Sequence, residues 1–151
     1  MTHSDDATRA TAAMRHLVLE QNDRRQQVAE ALGMGFVRIK ALRRLAAQPL
    51  RMSDLATAMG VDKPYTTLVV DDFERRGLVV RSVDPADRRA KIVTITDAGR
   101  ALAVEADRIL SYPAPGLLRL TAEELSTLVR LVEKASEEDD DEGVGEGAGE
   151  G

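Results

Sequence analysis

The sequence contains no cysteine and no tryptophan, and it has only two phenylalanines and two tyrosines. Without cysteine there is no disulfide scaffold, no thiolate zinc site, no thiol nucleophile and no cysteine redox sensor. The scarcity of aromatic residues argues against a carbohydrate site built on ring stacking, and against a platform that stacks several single-stranded bases. These absences remove several large classes of enzyme and binding protein.

Histidine and long apolar runs are also scarce. The two histidines are His3 and His16, so a multi-histidine metal site is not expected, and we predict neither a metal nor another cofactor. No apolar run approaches the ~18 residues that a membrane helix needs. The first residues, MTHSDDATRA, lack the basic and apolar regions of a signal peptide. We therefore expect a cytoplasmic protein.

The chain is long enough for one domain, but its charge is unevenly distributed. It has 151 residues, of which 43% are hydrophobic and 31% charged, with a net charge of −5. Residues 133–151 contain nine acidic residues and one lysine, whereas residues 34–100 contain thirteen basic and eight acidic residues. The tail at 137–151, EEDDDEGVGEGAGEG, is predicted to be disordered. It could compete for a basic surface or simply favour solubility, and we favour solubility.

Apolar spacing predicts two helices in the first third of the chain. Residues 7–32 contain few breakers, and we predict one long helix there, ended by Gly33, although the polar stretch QNDRRQQ interrupts its apolar stripe. From Phe36 to Ala47 apolar residues recur at intervals of three and four, which predicts a second helix. The sequence Gln48-Pro49 ends it, because proline cannot continue the helical hydrogen bonds.

The central segment predicts a helix-turn-helix followed by a hairpin. Residues 53–59 form a short predicted helix closed by Gly60, and Asp62 is the predicted N-cap of the next helix, which Gly77 ends. Two runs rich in β-branched residues, 78–83 and 91–96, flank a turn at 84–87 and predict a β-hairpin. A helix-turn-helix followed directly by such a hairpin is a winged helix.

The remaining segments predict further helices. Thr96-Asp97 begins a helix through about Leu110, residues 112–116 interrupt the chain, and Thr121 with Glu124 forms a capping box for a last helix to about Ser136. The predicted fold class is mainly α with a small β-hairpin wing. We expect a single domain over residues 1–136, with a winged lobe at about 50–96 between helical regions at about 7–32 and 97–136.

The stretch from Leu55 to Arg100 resembles the MarR family of bacterial winged-helix regulators. The most specific segment is DPADRRAKIVTITDAG, which combines an Asp-Arg-Arg tip, a short strand and a Thr-Asp-Ala-Gly helix start. The segment ERRGLV, between the second helix of the motif and the wing, is nearly as specific. With the flanking helices, the resemblance covers about residues 8–136 and excludes the acidic tail.

The resemblance implies a transcription repressor or activator that binds double-stranded DNA as a homodimer. It implies that the helices at about 7–32 and 97–136 form the dimer, and that two winged lobes point at DNA. It also implies release from DNA by a small effector, often phenolic or anionic. We expect a repressor that is relieved by such a ligand and binds a pseudo-palindromic operator.

The second helix of the motif should present its N-terminal end to the major groove. The candidate DNA contacts there are Lys63, Pro64, Tyr65, Thr66 and Thr67. The threonines suit base edges, whereas Lys63 and Tyr65 suit phosphates, although Tyr65 could equally be an ordinary surface residue. The family commonly has arginine where this chain has Leu68, so the operator is expected to be richer in A·T or to be read through shape.

The wing and the edges of the motif supply the other candidates. The resemblance implies that Arg89 enters the minor groove and that Asp87 holds its guanidinium, while Arg88 is expected to contact a phosphate. Arg75 and Arg76 could contact DNA, although cations at a helix C-terminus also favour the helix dipole, which is the interpretation we prefer. Ser53 and Thr57 could bind phosphates, and Ser53 could instead cap its helix.

The resemblance also places an effector cavity between the dimer helices and the DNA-binding lobe. Its candidate residues are His16, Met34, Phe36, Arg38 and Tyr112, although a lone histidine is more often a surface or interface residue. The carboxylate run Glu138–Glu142 could bind a hard cation only weakly.

Two other functional classes compete with a DNA-binding regulator. An enzyme needs a nucleophile and base, or paired carboxylates, in a cleft, and this composition offers little to build one, so we expect no enzyme. A winged helix can also bind proteins instead of DNA, which would suit the negative net charge. The enrichment of basic residues at 34–100 favours DNA.

Overall fold

The computed structural model describes residues 1–137, so the predicted acidic tail from residue 138 onward lies outside the described residues. The described residues divide into two compact units, one over Met1–Tyr112 and one that begins at Pro113. The first unit contains α1 (His3–Arg15), α2 (Arg25–Leu32), α3 (Phe36–Ala47), β1 (Leu50–Arg51), α4 (Met52–Met59), α5 (Lys63–Arg75), β2 (Val79–Asp84), β3 (Asp87–Ile95) and α6 (Asp97–Leu110). The second contains a 3₁₀ turn (Pro115–Arg119) and α7 (Ala122–Ser136).

The prediction of a single long helix over residues 7–32 is wrong. The structure has α1, a π-helical turn over His16–Gln21, a break, and then α2. At the break the Asn22 amide donates to the Leu17 carbonyl oxygen over 2.9 Å, and the Asp23 carboxylate accepts from the backbone N–H of Arg25 over 2.9 Å. Polar side chains therefore replace the backbone hydrogen bonds that would have continued the helix.

The predicted helix-turn-helix is confirmed as α4 and α5. Gly60 ends α4 in the left-handed conformation, with φ of 66°, which glycine adopts without steric cost. The Asp62 carboxylate then accepts from the backbone N–H of Tyr65 over 2.8 Å and caps α5. The helix α4 begins at Met52, so Ser53 already lies inside it. The N-cap position is Arg51, whose side chain forms no capping hydrogen bond, and Ser53 therefore does not cap this helix.

The wing is longer than predicted and belongs to a three-stranded antiparallel sheet of order β1-β3-β2. Asp84 pairs with Asp87, so only Pro85 and Ala86 remain in the turn, and β3 begins at Asp87 rather than at Lys91. The two-residue strand β1, which pairs with Ile92 and Val93 in the second half of β3, was not predicted because two residues carry no detectable alternation.

The core of the first unit lies between the helices and the sheet. Its largest fully buried side chains come from α2, α3, α4, α5 and β3 and include Phe73, Ile39, Leu42, Leu45, Leu55, Val28 and Val93. The predicted cap at Thr96 is confirmed, and its hydroxyl also donates to the Gly77 carbonyl oxygen over 2.7 Å. At Gly99 a Cβ would overlap the carbonyl oxygen of Leu78, which explains why glycine stands there in the Thr-Asp-Ala-Gly segment.

The second unit confirms the predicted capping box. The backbone N–H of Glu124 donates to the Thr121 hydroxyl over 3.1 Å, and the Thr121 N–H donates to the Glu124 carboxylate over 3.0 Å. Within residues 1–137 no helix has the length and apolar character to cross a bilayer. The predicted fold class, mainly α with a β-hairpin wing, is confirmed, while the predicted single domain and the dimerisation role of the terminal helices stay predictions.

Candidate nucleic-acid interface

A basic groove lies between the start of α4, the start of α5 and the wing. Its volume is about 410 Å³. Five cationic side chains and one carboxylate are among the lining residues Arg51, Met52, Ser53, Lys63, Thr67, Arg81, Asp87, Arg89, Ala90 and Lys91. The groove therefore has the charge of a surface that binds an anionic polymer.

Local geometry explains how the groove is assembled. The cap at Asp62 starts α5 at Lys63, and Thr67 lies one turn further on the same face, with its hydroxyl donating to the Lys63 carbonyl oxygen over 3.1 Å. In β3, alternate residues share a face, so Asp87, Arg89 and Lys91 all point into the groove.

Two of the five cations hold the groove's walls together. Arg81 of β2 binds Asp71 over 2.5 Å and Glu74 over 2.8 Å, and thus joins the wing to α5. The Arg81 hydrogen bond lowers the pKa of Glu74, and the same bond raises the pKa of Arg81. Arg51 binds the buried carboxylate of Asp84 over 2.7 Å and joins β1 to the wing.

The other three cations form no ion pair in the part of the chain that the structure describes, although the charge of Lys91 also helps to lower the pKa of Glu74. Lys63, Arg89 and Lys91 are all exposed and form no ion pair with a carboxylate of residues 1–137. A cation without an internal partner can give its full charge to a phosphate, whereas a paired one must first break its ion pair. Lys63, Arg89 and Lys91 are therefore the groove's available phosphate ligands.

Four of the DNA contacts predicted from the sequence line the basic groove: Ser53, Lys63, Thr67 and Arg89. Pro64 is exposed in the first turn of α5. Thr66 is only 1% exposed, and its hydroxyl donates to the Asp62 carbonyl oxygen over 2.9 Å. The prediction of Thr66 as a DNA contact is therefore corrected, because its side chain belongs to the core.

The wing differs from the prediction in the role of Asp87. Its carboxylate accepts from the backbone N–H of Arg89 over 3.0 Å, and no ion pair joins it to the Arg89 guanidinium in the described structure. Asp87 thus shapes the turn in this structure, and its contact with the Arg89 guanidinium, which the resemblance implied, stays a prediction. Arg88 is exposed and, by strand alternation, points away from the face that carries Arg89.

A second groove, the arginine–aspartate groove, lies on another side of α5. Its volume is about 470 Å³, and it is lined by Met34, Gly35, Arg38, Leu68, Asp71, Asp72, Arg75 and Arg76. Asp72 forms ion pairs with three of these residues: Arg38 over 3.4 Å, Arg76 over 3.2 Å, and Arg75. The predicted DNA contact Arg75 thus pairs with an acid of its own helix.

The structure brings together only two of the five predicted effector residues. Met34 and Arg38 both line the arginine–aspartate groove. His16 is exposed and pairs with Glu20 over 2.7 Å, and Phe36 packs against the core. Tyr112 is 64% exposed, with the Arg24 guanidinium 5.3 Å from its ring centroid.

Three groove cations were missed in the sequence: Arg51, Arg81 and Lys91. Lys91 could have been found, because it lies two residues after Arg89 and strand alternation puts the two on one face. Arg51 and Arg81 had no such signal, because their places depend on pairing between distant strands. Across residues 1–137 no cluster of three histidine or acidic side chains could hold a metal ion, and the run Glu138–Glu142 lies outside that range.

Comparisons with known proteins agree with this architecture. The model of the MarR family matches residues 37–91, which run from α3 into the wing. The apo form of wild-type MarR from E. coli is similar in structure, with 21% identity and a TM-score of 0.68, over 84% of this chain and 96% of that chain.

Two further solved structures share the fold and carry ligands. A mutant of MepR from S. aureus, bound to an oligodeoxyribonucleotide, is 24% identical over 83% of this chain and 94% of that chain, with a TM-score of 0.62. NadR in complex with 4-hydroxyphenylacetate is 20% identical over 89% of this chain and 92% of that chain, with a TM-score of 0.58. The predicted resemblance to the MarR family is therefore confirmed over residues 37–91, and the solved structures share the winged-helix fold.

Proposed function

We propose that the protein is a transcriptional regulator that binds double-stranded DNA in a sequence-specific manner. The observation that carries the proposal is the basic groove, in which one continuous surface joins the start of α5 to the wing and presents Lys63, Arg89 and Lys91 without ion pairs in residues 1–137. A helix-turn-helix inserts this end of its second helix into the major groove. MepR, which shares the fold, was solved with an oligodeoxyribonucleotide.

Different side chains of this surface have different tasks. Lys63 and Lys91 neutralise phosphates, which supports affinity and makes it depend on salt. Thr67 reaches base edges with its hydroxyl and its methyl group, and Arg89 enters the minor groove, where narrow A·T tracts concentrate negative potential. Leu68 lines the arginine–aspartate groove and not the basic groove, and it is 61% exposed. It offers apolar contact where the family commonly offers arginine, so we expect an operator read mainly through A·T content and shape.

We propose that the DNA-binding form is a homodimer. Both terminal helical regions expose apolar side chains: Met14, Val18 and Leu19 in the first unit, and Val129, Leu131 and Val132 in the second. A symmetric dimer would bury such residues and would place two winged lobes on half-sites about one helical turn, ~10 bp, apart. Light scattering at micromolar concentration should give twice the chain mass, and a monomeric mass would refute the dimer.

The regulator is proposed to act as a repressor that a small ligand releases from DNA. NadR was solved with a phenolic carboxylate, 4-hydroxyphenylacetate, and in this chain Met34 and Arg38 share a groove. Titrating 4-hydroxyphenylacetate into the protein–DNA complex should lower the bound fraction, with acetate at the same concentration as the control. No release by this probe would refute its assignment as effector and leave DNA binding intact.

The DNA-binding proposal is tested by selection from a random duplex library, followed by titration of the selected duplex at several salt concentrations. If each protomer contributes about three phosphate or groove cations, the log–log slope of affinity against salt should be roughly −5. Lys63→Ala should weaken binding, and Lys40→Ala, at an exposed lysine outside both grooves, should not. Failure to select any duplex, or affinity independent of salt, would instead favour a winged helix that binds a protein.

A further inference from the structure

A buried carboxylate lies at the centre of the arginine–aspartate groove. Asp72 of α5 is 8% exposed and precedes the fully buried Phe73. Burial raises the pKa of this carboxyl, but the hydrogen bond from Arg75 and the charges of Arg76, Arg75 and Arg38 outweigh that effect and hold its pKa below the usual 3.8. The group is thus a charged anion at neutral pH, although burying a charge is costly unless partners compensate it.

Two of its partners extend the contact to other parts of the fold. Arg38 of α3 binds Asp72 through Nε over 3.4 Å, and its Nη1 donates to the Tyr65 hydroxyl over 3.4 Å. Its guanidinium carbon also lies 5.9 Å from the centroid of the Tyr65 ring. Because Tyr65 lies in the first turn of α5 and Asp72 in the last, one arginine of α3 connects the two ends of α5.

The second partner connects α5 to α2. Arg76 binds Asp72 through Nε over 3.2 Å, and its Nη1 donates to the carbonyl oxygen of Gly33, the residue that ends α2. Asp72 therefore contacts one side chain that reaches the start of α5 and another that reaches the end of α2. Rotating or sliding α5 would break both sets of contacts at once.

We propose that Asp72 is a positioning residue for DNA recognition, which fixes α5 against α2 and α3 through Arg76 and Arg38 so that Lys63 and Thr67 meet DNA at one angle. The inference rests on the proposed function, since it concerns how the DNA-reading helix is held. Asp72 itself touches no DNA in this account. It acts through Arg38, which supports Tyr65, and through Arg76.

The direction in which Asp72→Asn changes DNA affinity distinguishes a positioning role from a purely electrostatic effect. Asp72→Asn keeps the shape of the side chain but removes a negative charge, so charge alone would strengthen binding to an anionic duplex. A positioning role predicts the opposite: affinity for the selected duplex should fall by about tenfold, and discrimination against a random duplex should shrink with it. The slope of affinity against salt should stay unchanged, because no phosphate contact is lost.

The matched control is Asp107→Asn. Asp107 of α6 forms an ion pair with Arg43 of α3 over 2.5 Å, so it also joins two helices, but it lies in neither groove. This substitution should leave DNA affinity within about twofold of the parent, as expected for an exposed ion pair. Melting curves for both variants, with binding measured well below the melting temperatures, separate positioning from loss of folded protein.

A second variant decides the matter if Asp72→Asn does not fold. Arg38→Gln leaves Asp72 with Arg75 and Arg76, and it too should lose affinity and discrimination by about tenfold. If the variants fold, combining Asp72→Asn with Arg38→Gln should lower DNA affinity no further than either substitution alone, because both break the same connection. If folded Asp72→Asn binds DNA like the parent, the inference is overturned. If Asp72→Asn does not fold, parent-like binding by Arg38→Gln overturns it. Failure of the parent protein to bind any duplex would instead overturn the proposed function.

Discussion

The two grooves beside α5 contain similar side chains but differ in how their charges are satisfied. In the basic groove Lys63, Arg89 and Lys91 form no ion pair among residues 1–137, whereas in the arginine–aspartate groove three arginines form ion pairs with Asp72. Counting basic residues along the chain would rate both regions as DNA-binding surfaces. The pairing shows that one groove offers charge to a ligand, while the other uses its charge to hold helices together.

The largest effect on DNA affinity should come from Arg89→Ala, in the basic groove. The substitution removes a cation without an observed acidic partner from the wing, so affinity should fall by about 10- to 100-fold, while preference among major-groove bases changes little. The measurement is a competition titration with the selected, single-mismatch and random duplexes. Arg44→Ala, at an exposed arginine of α3 outside both grooves, is the control. Parent-like binding by Arg89→Ala would show that the wing does not enter DNA.

The paired cation Arg81 should affect stability more than it affects salt dependence. Arg81→Ala removes hydrogen bonds to Asp71 and Glu74 that join the wing to α5, and we expect a loss of about 1–2 kcal/mol in the free energy of unfolding. Arg108→Ala breaks the exposed pair with Glu105 within one helix and should leave stability unchanged. Chemical denaturation measures both. Equal stability of the two variants would mean that the Arg81 contacts do not secure the wing.

A smaller effect is expected from Thr67→Ala, which removes a hydroxyl and a methyl group from the reading end of α5. Discrimination between the selected duplex and single mismatches should shrink by roughly threefold, while total affinity changes less. The same competition titration reports both quantities, and a melting curve confirms folding. Unchanged discrimination would assign base reading to other residues of α5 or to DNA shape.

The smallest effect near neutral pH should come from titration of the paired carboxylates. The pKa values of Asp72 and Glu74 are both lower in the folded protein than their usual values of 3.8 and 4.5. Such groups stabilise the fold above the unfolded pKa, and the stabilisation is lost as pH falls through the folded pKa. Stability should therefore change little through these groups from pH 7 to 6 and decline below about pH 4.5. Asp72→Asn should reduce the acid-dependent part of the decline, and an identical pH profile would contradict the pairing.

Local signals allowed much of the fold to be predicted from the sequence. Asp62, Thr96 and Thr121 mark helix starts through their own capping geometry, and glycines end α2, α4 and α5. The break after the π-helical turn was missed, although the polar stretch that causes it was visible. The two-residue strand β1 has no local pattern, because its pairing partner lies far along the chain in β3.

The site was predictable only where a single element places the residue. Lys63, Thr67 and Arg89 follow from a helix start and a wing tip, whereas Arg38 and Asp72 meet only after α3 and α5 pack together. Thr66 was wrongly predicted to contact DNA. It is buried, whereas its neighbour Thr67 is exposed, because adjacent residues of a helix point in different directions. Side-chain pairing across elements is a tertiary property, and it decides which cations remain available.

Salt dependence of DNA binding by Lys91→Ala and Arg75→Ala tests the central claim most directly. Both variants lose one exposed cation near α5, but Lys91 forms no ion pair among the described residues, whereas Arg75 forms an ion pair with Asp72. We expect Lys91→Ala to make the log–log salt slope less negative by about 1 for each protomer bound, while Arg75→Ala leaves the slope unchanged. Equal changes in slope for the two variants would contradict it, because net charge and not pairing would then determine the interface.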